Sequence, residues 1–204
     1  VKKGVKCKSA IDKYEPIKLL GLGSPKLGIL LQEDFAAQKL TRTLIKNCSD
    51  YTPDSFYYHV SGSDGDVQKD ILRLPRQLEK FKIIGIFDGD FRGKESNALK
   101  ASDKNYLFLP STYPPEELLI HFIESKDLGE VSQYFQIDED RIAAALESVA
   151  GVDHHDYFHE LASELEQDFE YTLQIACDFW VKDVSNLDKV KDFSIELAEF
   201  FDAA

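Results

Sequence analysis

The chain of 204 residues contains no methionine, a single tryptophan and only three cysteines. Cys7, Cys48 and Cys177 are far apart, odd in number and form no C-x-x-C pair. That excludes a disulfide-stapled miniprotein, and the thiols read as reduced and mostly buried, as in a cytosolic protein. No apolar run approaches the roughly 18–20 residues that a bilayer span needs, and the N-terminus lacks a signal-peptide profile. A first residue of Val1 with no methionine anywhere is the expectation for a piece cut from a longer polypeptide. What is present is the composition of a globular protein: 43% hydrophobic and 30% charged residues exclude disorder and collagen. The length is about one and a half typical domains.

Charge divides the chain. Residues 1–120 carry 19 Lys and Arg against 16 Asp and Glu, a net +3, whereas residues 121–204 carry 5 against 21, a net −16. An acidic surface repels nucleic acid at long range, so contact with a polyanion is expected from the first 120 residues. The acidic remainder reads as solvated helix faces.

Residues 1–26 form a Lys-rich linker that ends in Gly21-Leu22-Gly23-Ser24-Pro25; the glycines precede a strand and so read as a turn rather than a phosphate loop. Leu27–Leu31 is an apolar run of the kind found in strands buried on both faces. A helix is expected over 35–46, a strand over 55–60, and a loop over 61–65. A helix disturbed by Pro75 is expected over 67–80. Phe81–Phe87 is the clearest strand, residues 91–104 read as a polar basic loop, and Tyr106–Leu109 is a fourth strand. Pro114-Pro115 then opens a helix at Glu116. Strands alternating with helices predict an α/β fold, with a mostly parallel four-stranded sheet flanked by helices over residues 27–125. Residues 126–204 predict an all-helical region, with helices near 127–135, 138–149, 154–181 and 186–202.

Ligands of open α/β sheets bind beyond the carboxyl ends of the strands. Glu33 and Asp34 follow the first predicted strand, Asp88 and Asp90 the third, and Ser111 to Glu116 the fourth. Residues two apart in extended backbone point the same way, so Asp88 and Asp90 converge, and Gly89 between them permits a sharp turn. Clustered carboxylates repel one another unless a cation neutralises them. Hard divalent cations take oxygen ligands, and with no cysteine or histidine beside Glu33, Asp88, Asp90 and Glu116, Mg²⁺ or Mn²⁺ is favoured over zinc.

At these residues the sequence resembles a Toprim domain, and more narrowly the Toprim half of the OLD-family (overcoming lysogenization defect) ATP-dependent endonucleases. The resemblance is carried by Gly28-Ile-Leu-Leu-Gln-Glu-Asp34, Ile83-Ile-Gly-Ile-Phe-Asp-Gly-Asp90 and Leu109-Pro-Ser-Thr-Tyr-Pro-Pro-Glu-Glu-Leu118, with a further likeness in Asp153-His-His-Asp-Tyr-Phe-His-Glu-Leu161. It implies a Rossmann-like Toprim fold and two-metal cleavage or nicking of DNA in the cytoplasm, often in anti-phage defence. It also implies an upstream ABC-type ATPase domain, where ATP would bind, and a homo-oligomer. Asp88 would be the central ligand, Glu33 and Asp90 would complete the pair, and Glu116 with Ser111 would hold one ion's outer side, with Asp34 nearby. Two departures stand out. The position four after Glu33, acidic in many members, is Ala37, and the late lysine of the family falls on either Lys182 or Lys94.

Arg92, Lys94, Lys100 and Lys104 follow the D-G-D turn and are candidates for the nucleic-acid backbone. His154, His155 and His159 lack the H-E-x-x-H pattern and read as a helix start capped by Asp153. Three other readings use the same acids. They are an inert Toprim scaffold or dimerisation module, a receiver-type phosphoacceptor domain centred on Asp88, and primase or topoisomerase chemistry.

Overall fold

The computed structural model describes residues 26–48, 51–74, 77–78, 81–102 and 106–202. The Gly21–Ser24 turn, Cys7, Pro75 and Lys104 lie outside the described residues. Four strands are parallel: β1 (Gly28–Gln32), β2 (Phe56–Val60), β4 (Phe81–Phe87) and β5 (Tyr106–Phe108). Their order across the sheet is β2-β1-β4-β5, and the two-residue β3 (Gln77–Leu78) pairs antiparallel with the start of β4. The α/β architecture expected from the alternating pattern is therefore observed.

Among the described residues three helices are woven through the sheet: α1 (Phe35–Cys48), α2 (Asp64–Arg73) and the short α3 (Asn97–Ala101). Six more described helices follow: α4 (Pro115–Glu124), α5 (Leu128–Phe135), α6 (Glu139–Ser148), α7 (His154–Glu164), α8 (Phe169–Lys182) and α9 (Leu187–Asp202). Among the described residues no helix is long and apolar enough to cross a membrane.

Period-two alternation assigns the strand side chains to two layers. Leu30, Ile84, Ile86 and Leu107 face a large core that includes Leu40 and Leu44 of α1, Leu119 and Ile123 of α4, and Phe158, Trp180 and Leu197 of the later helices. Leu31, Ile83 and Phe87 face a smaller core closed by Val67 and Ile71 of α2 and Leu99 of α3. The residues before and after 125 thus share one continuous apolar core. The acidic helices bury aromatic rings inward, with Trp180 1% exposed, and turn their carboxylates outward.

Local chemistry accounts for the places where the elements differ from the sequence reading. The second helix stops at Arg73 rather than running to 80, because Leu74 precedes a proline and takes an extended conformation, φ −82° and ψ 145°. The expected helix 154–181 is two helices. Glu166 sits in the left-handed region at φ 52°, and Asp168 starts α8 by accepting the Tyr171 N–H at 3.1 Å. The basic loop 91–104 contains α3, capped by Ser96, whose hydroxyl accepts the Leu99 N–H at 3.2 Å. Asp153 caps α7 as expected and Asp138 likewise caps α6, each accepting a backbone N–H at 3.0 Å.

α2 lies closely against the sheet because Gly85 has no side chain; a Cβ there would stand 2.1 Å from Ile71 Cδ1. Gly85→Ala is expected to lower unfolding free energy by about 1–3 kcal/mol, the usual cost of overpacking. Ile71→Val removes the clashing methyl, so the double variant should lose less than the sum of the two single losses in urea denaturation.

Candidate functional site

Each of the four parallel strands is followed by at least one carboxylate: Glu33 and Asp34 after β1, Asp64 after β2, Asp88 and Asp90 after β4, and Glu116 after β5. The strand order explains why they meet. The chain leaves β1 toward the large core through α1, and leaves β4 toward the small core through α3. The loops after these neighbouring strands therefore diverge and open a crevice between them, the place where doubly wound sheets hold ligands.

Three of the acids also begin helices. Asp34 caps α1, its Oδ1 accepting the Ala37 N–H at 2.8 Å. Asp64 is the first residue of α2, behind the cap Ser63, and Glu116 is the second residue of α4, behind Pro115. The positive ends of three helix dipoles thus point at the same crevice and favour negative charge there. Upstream, buried Gln32 donates through Nε2 to the Ala37 carbonyl at 3.0 Å and to the Thr41 hydroxyl, which fixes the connection carrying Glu33. Downstream, Gly89 lets the D-G-D turn seat against the β5–α4 loop, since a Cβ there would stand 2.1 Å from the Ser111 carbonyl oxygen.

The electrostatics report the convergence. Asp88 is only 2% exposed. Burial above all, then the charges of Asp34, Glu33, Asp64 and Glu116, raise its pKa to about 9. Glu33 is raised to about 8 by burial and by Asp64, Asp34 and Asp90, and it shares a hydrogen bond with Asp64. Glu116 rises to about 7 through burial and Asp34. Asp64 rises to about 6, through burial and Asp90, while hydrogen bonds from Glu33 and the Asp88 backbone hold it down. Lys94 donates to Asp90 Oδ2 at 2.8 Å, and this contact, with weaker help from Asp64 and Glu33, raises the lysine's pKa.

One oxygen each of Asp64, Asp88 and Glu116 is buried with no hydrogen-bond partner. A buried carboxylate oxygen without a partner is costly, and a cation is the partner that removes the cost for several at once. The donors are all hard oxygens, which fits Mg²⁺ or Mn²⁺. Among the described residues no three of these acids bring ligand atoms within 4.8 Å of one another, whereas Asp153, His154 and His155 do.

Glu33, Asp34, Asp88, Asp90 and Glu116 are thus brought together. Ser111 serves differently: its hydroxyl accepts the Tyr113 N–H at 2.9 Å and its carbonyl packs on Gly89. Arg92 lies over the Phe108 ring at 4.6 Å, and Lys100 pairs with Glu95 at 3.5 Å on α3. Of the two lysine candidates, Lys94 is at the acids. Lys182 pairs instead with Asp178 at 3.7 Å, in a separate cleft with Glu130 and Tyr134. Ala37 is fully buried in the large core, so a ligand could not come from that position. Asp64 supplies a further carboxylate that the sequence reading passed over, within the run Ser61-Gly-Ser-Asp-Gly65 read as a loop. The signal was present, since this loop also follows a parallel strand. Of the histidines, His154 and His155 lie with rings 3.9 Å apart at the start of α7, and His159 stacks on Phe169 at 3.7 Å.

In the metal-free protein the raised pKa values mean that the folded state holds protons the unfolded chain has released. Stability from these groups is present below the ordinary carboxylate pKa and is lost as pH rises toward the folded values, about 9 for Asp88. Mg²⁺ or Mn²⁺ should therefore raise the melting temperature more at pH 8 than at pH 6. Asp88→Asn should raise the metal-free melting temperature at pH 8 by roughly 2–4 °C, the equivalent of about 1 kcal/mol at this size. It should also flatten the pH dependence in differential scanning fluorimetry.

No family model, curated protein or solved structure matches this chain, so its assignment rests on the residues and their arrangement.

Proposed function

We propose that the chain is the catalytic part of a metal-dependent DNA endonuclease of Toprim type. The observation that carries this reading is the gathering of Glu33, Asp34, Asp64, Asp88, Asp90 and Glu116 at the switch point of the sheet, with buried oxygens on three of them left without partners. Glu33, Asp64, Asp88 and Asp90 would hold one divalent cation, and Asp88 with Asp34 and Glu116 a second. Such a pair activates a water and stabilises the leaving oxygen of an in-line phosphodiester displacement.

The chain's own residues do the rest. Lys94, tethered to Asp90 at the rim, supplies positive charge to a phosphate seated over the acids. The N-termini of α1, α2 and α4 favour the same anion. Arg92 and Lys100, exposed beyond the D-G-D turn, extend the contact along the backbone. Lys104, beyond the described residues, belongs to the same basic run. Binding through these cations is expected to be salt-dependent and largely sequence-independent. The same resemblance extends the proposal to an upstream ABC-type ATPase domain in the polypeptide, a homo-oligomer and a cytoplasmic role in anti-phage defence.

The test is nicking of supercoiled plasmid by the full-length polypeptide with Mg²⁺ or Mn²⁺. Asp88→Ala and Asp64→Asn should each reduce the rate by at least about 100-fold, beyond the roughly 10–100-fold cost of losing a group that only supports a metal ligand. Both variants are checked for folding by circular dichroism. Lys94→Ala should cost roughly 10-fold or more while leaving metal-induced stabilisation intact. Wild-type protein that neither nicks nor cleaves DNA with either ion overturns the reading. Relaxation without nicks would indicate a topoisomerase, and labelling of Asp88 by acetyl phosphate a receiver domain.

A further inference from the structure

On the other side of the Ser111 loop from the acids lies a cleft of about 420 Å³, between the D-G-D turn, the β5–α4 loop and α9. That volume falls within the roughly 300–1,000 Å³ common to small-ligand sites. None of the six carboxylates lines it, yet Ser111 is a common wall: it borders the cleft and its carbonyl abuts Gly89 between Asp88 and Asp90.

The two sides of the cleft differ in chemistry. One side is π-rich: the Arg92 guanidinium lies over Phe108, and Tyr113, whose ring stands edge-on to His121, is 44% exposed. The other side is one face of α9, where Lys189, Asp192 and Glu196 follow helical spacing above buried Phe193. Lys189 is turned toward Asn186 Oδ1 at 3.4 Å, while Asp192 and Glu196 are exposed. Carboxylates repel a phosphate and gain nothing from an apolar ring. A planar ring with N–H donors on its edge satisfies both walls, its face on the aromatic and guanidinium side and its edge on the acids.

We infer that this cleft holds one unpaired, amino-bearing nucleobase of a single-stranded segment beside the bond to be cut. In a duplex, stacking covers the face and pairing occupies the edge that the cleft addresses, so duplex DNA enters only where it is unwound. Arg92, two residues after Asp90, lies in the wall of the cleft, so the captured base sits beside the turn that carries Asp88 and Asp90. The position relative to the cut bond rests on the nuclease reading; recognition of the base rests on the cleft alone. It also gives the acidic helical region a part in binding a polyanion, through base edges rather than phosphates.

The experiment compares binding of short deoxycytidine and thymidine homopolymers to the full-length polypeptide by fluorescence anisotropy, with Ca²⁺ in place of Mg²⁺. The two bases stack similarly but differ at one edge, an amine on cytosine and a carbonyl on thymine. Wild type should prefer the cytosine polymer by about fivefold, the low end of base discrimination by hydrogen bonding. Asp192→Ala with Glu196→Ala should bring the ratio near one. The ratio is the readout, because removing two negative charges strengthens binding of any polyanion. Tyr113→Ala should weaken both polymers by about fivefold or more through lost stacking and keep the ratio. A wild-type ratio near one, or a ratio unchanged in the double variant, overturns the assignment. Plasmid nicking on the same preparations separates the two readings: nicking without base preference removes the cleft's role alone, and base preference without nicking supports the cleft while removing the nuclease.

Discussion

A carboxylate buried among carboxylates is the constraint on which the rest of this structure turns. Asp88 has lost nearly all contact with water, yet its nearest charged company is acidic. Left alone such a group would be pushed to the surface or neutralised by a proton. Here it is held in place by its backbone, since it directly follows Phe87, a strand residue fully buried in the smaller core. The strand cannot slide without moving Ile84 and Ile86 out of the opposite layer. The sheet therefore imposes the electrostatic conflict, and the three helix N-termini only moderate it.

The same arrangement explains why the turn after β4 is D-G-D and not any pair of acids. The missing side chain at Gly89 allows the β5–α4 loop to close over the turn and deliver Glu116 from the far strand. At the other end Gln32 ties β1 to α1 through two side-chain hydrogen bonds, which sets the direction of Glu33. Backbone-level packing thus precedes the polar geometry. The carboxylates are placed by groups that carry no charge themselves.

Much of this was legible in the sequence, for a definite reason. Asp88 directly follows a short apolar run, Glu33 comes one residue after another and Asp90 two residues after Asp88, and Glu116 follows a Pro-Pro pair that marks a helix start. Parallel-sheet topology then carries strand ends to one edge whatever the intervening residues. Asp64 was missed because three residues separate it from the end of β2, and serine and glycine around it look like turn chemistry; in fact Ser63 is a helix cap. The break between Glu164 and Phe169 was hidden because the apolar spacing of Leu161, Leu165 and Phe169 continues through it, while left-handed Glu166 and the cap Asp168 interrupt the helical hydrogen bonding. Pairwise contacts such as Lys94 with Asp90 follow helical spacing and were within reach, whereas the cleft beside Ser111 joins residues about eighty positions apart and no local pattern announces it.

The end of the chain is fastened back to the beginning of the sheet. Phe201 packs edge-on against Tyr51 and tilted against Phe56 at the start of β2, and the Lys82 ammonium donates to the Phe200 carbonyl 118 positions away. Gln174 reaches Thr43 across 131 positions. Contacts of such long sequence separation delay folding, because the loop they close must form before they contribute anything. During synthesis the sheet's larger face therefore stays uncovered until α8 and α9 have been made.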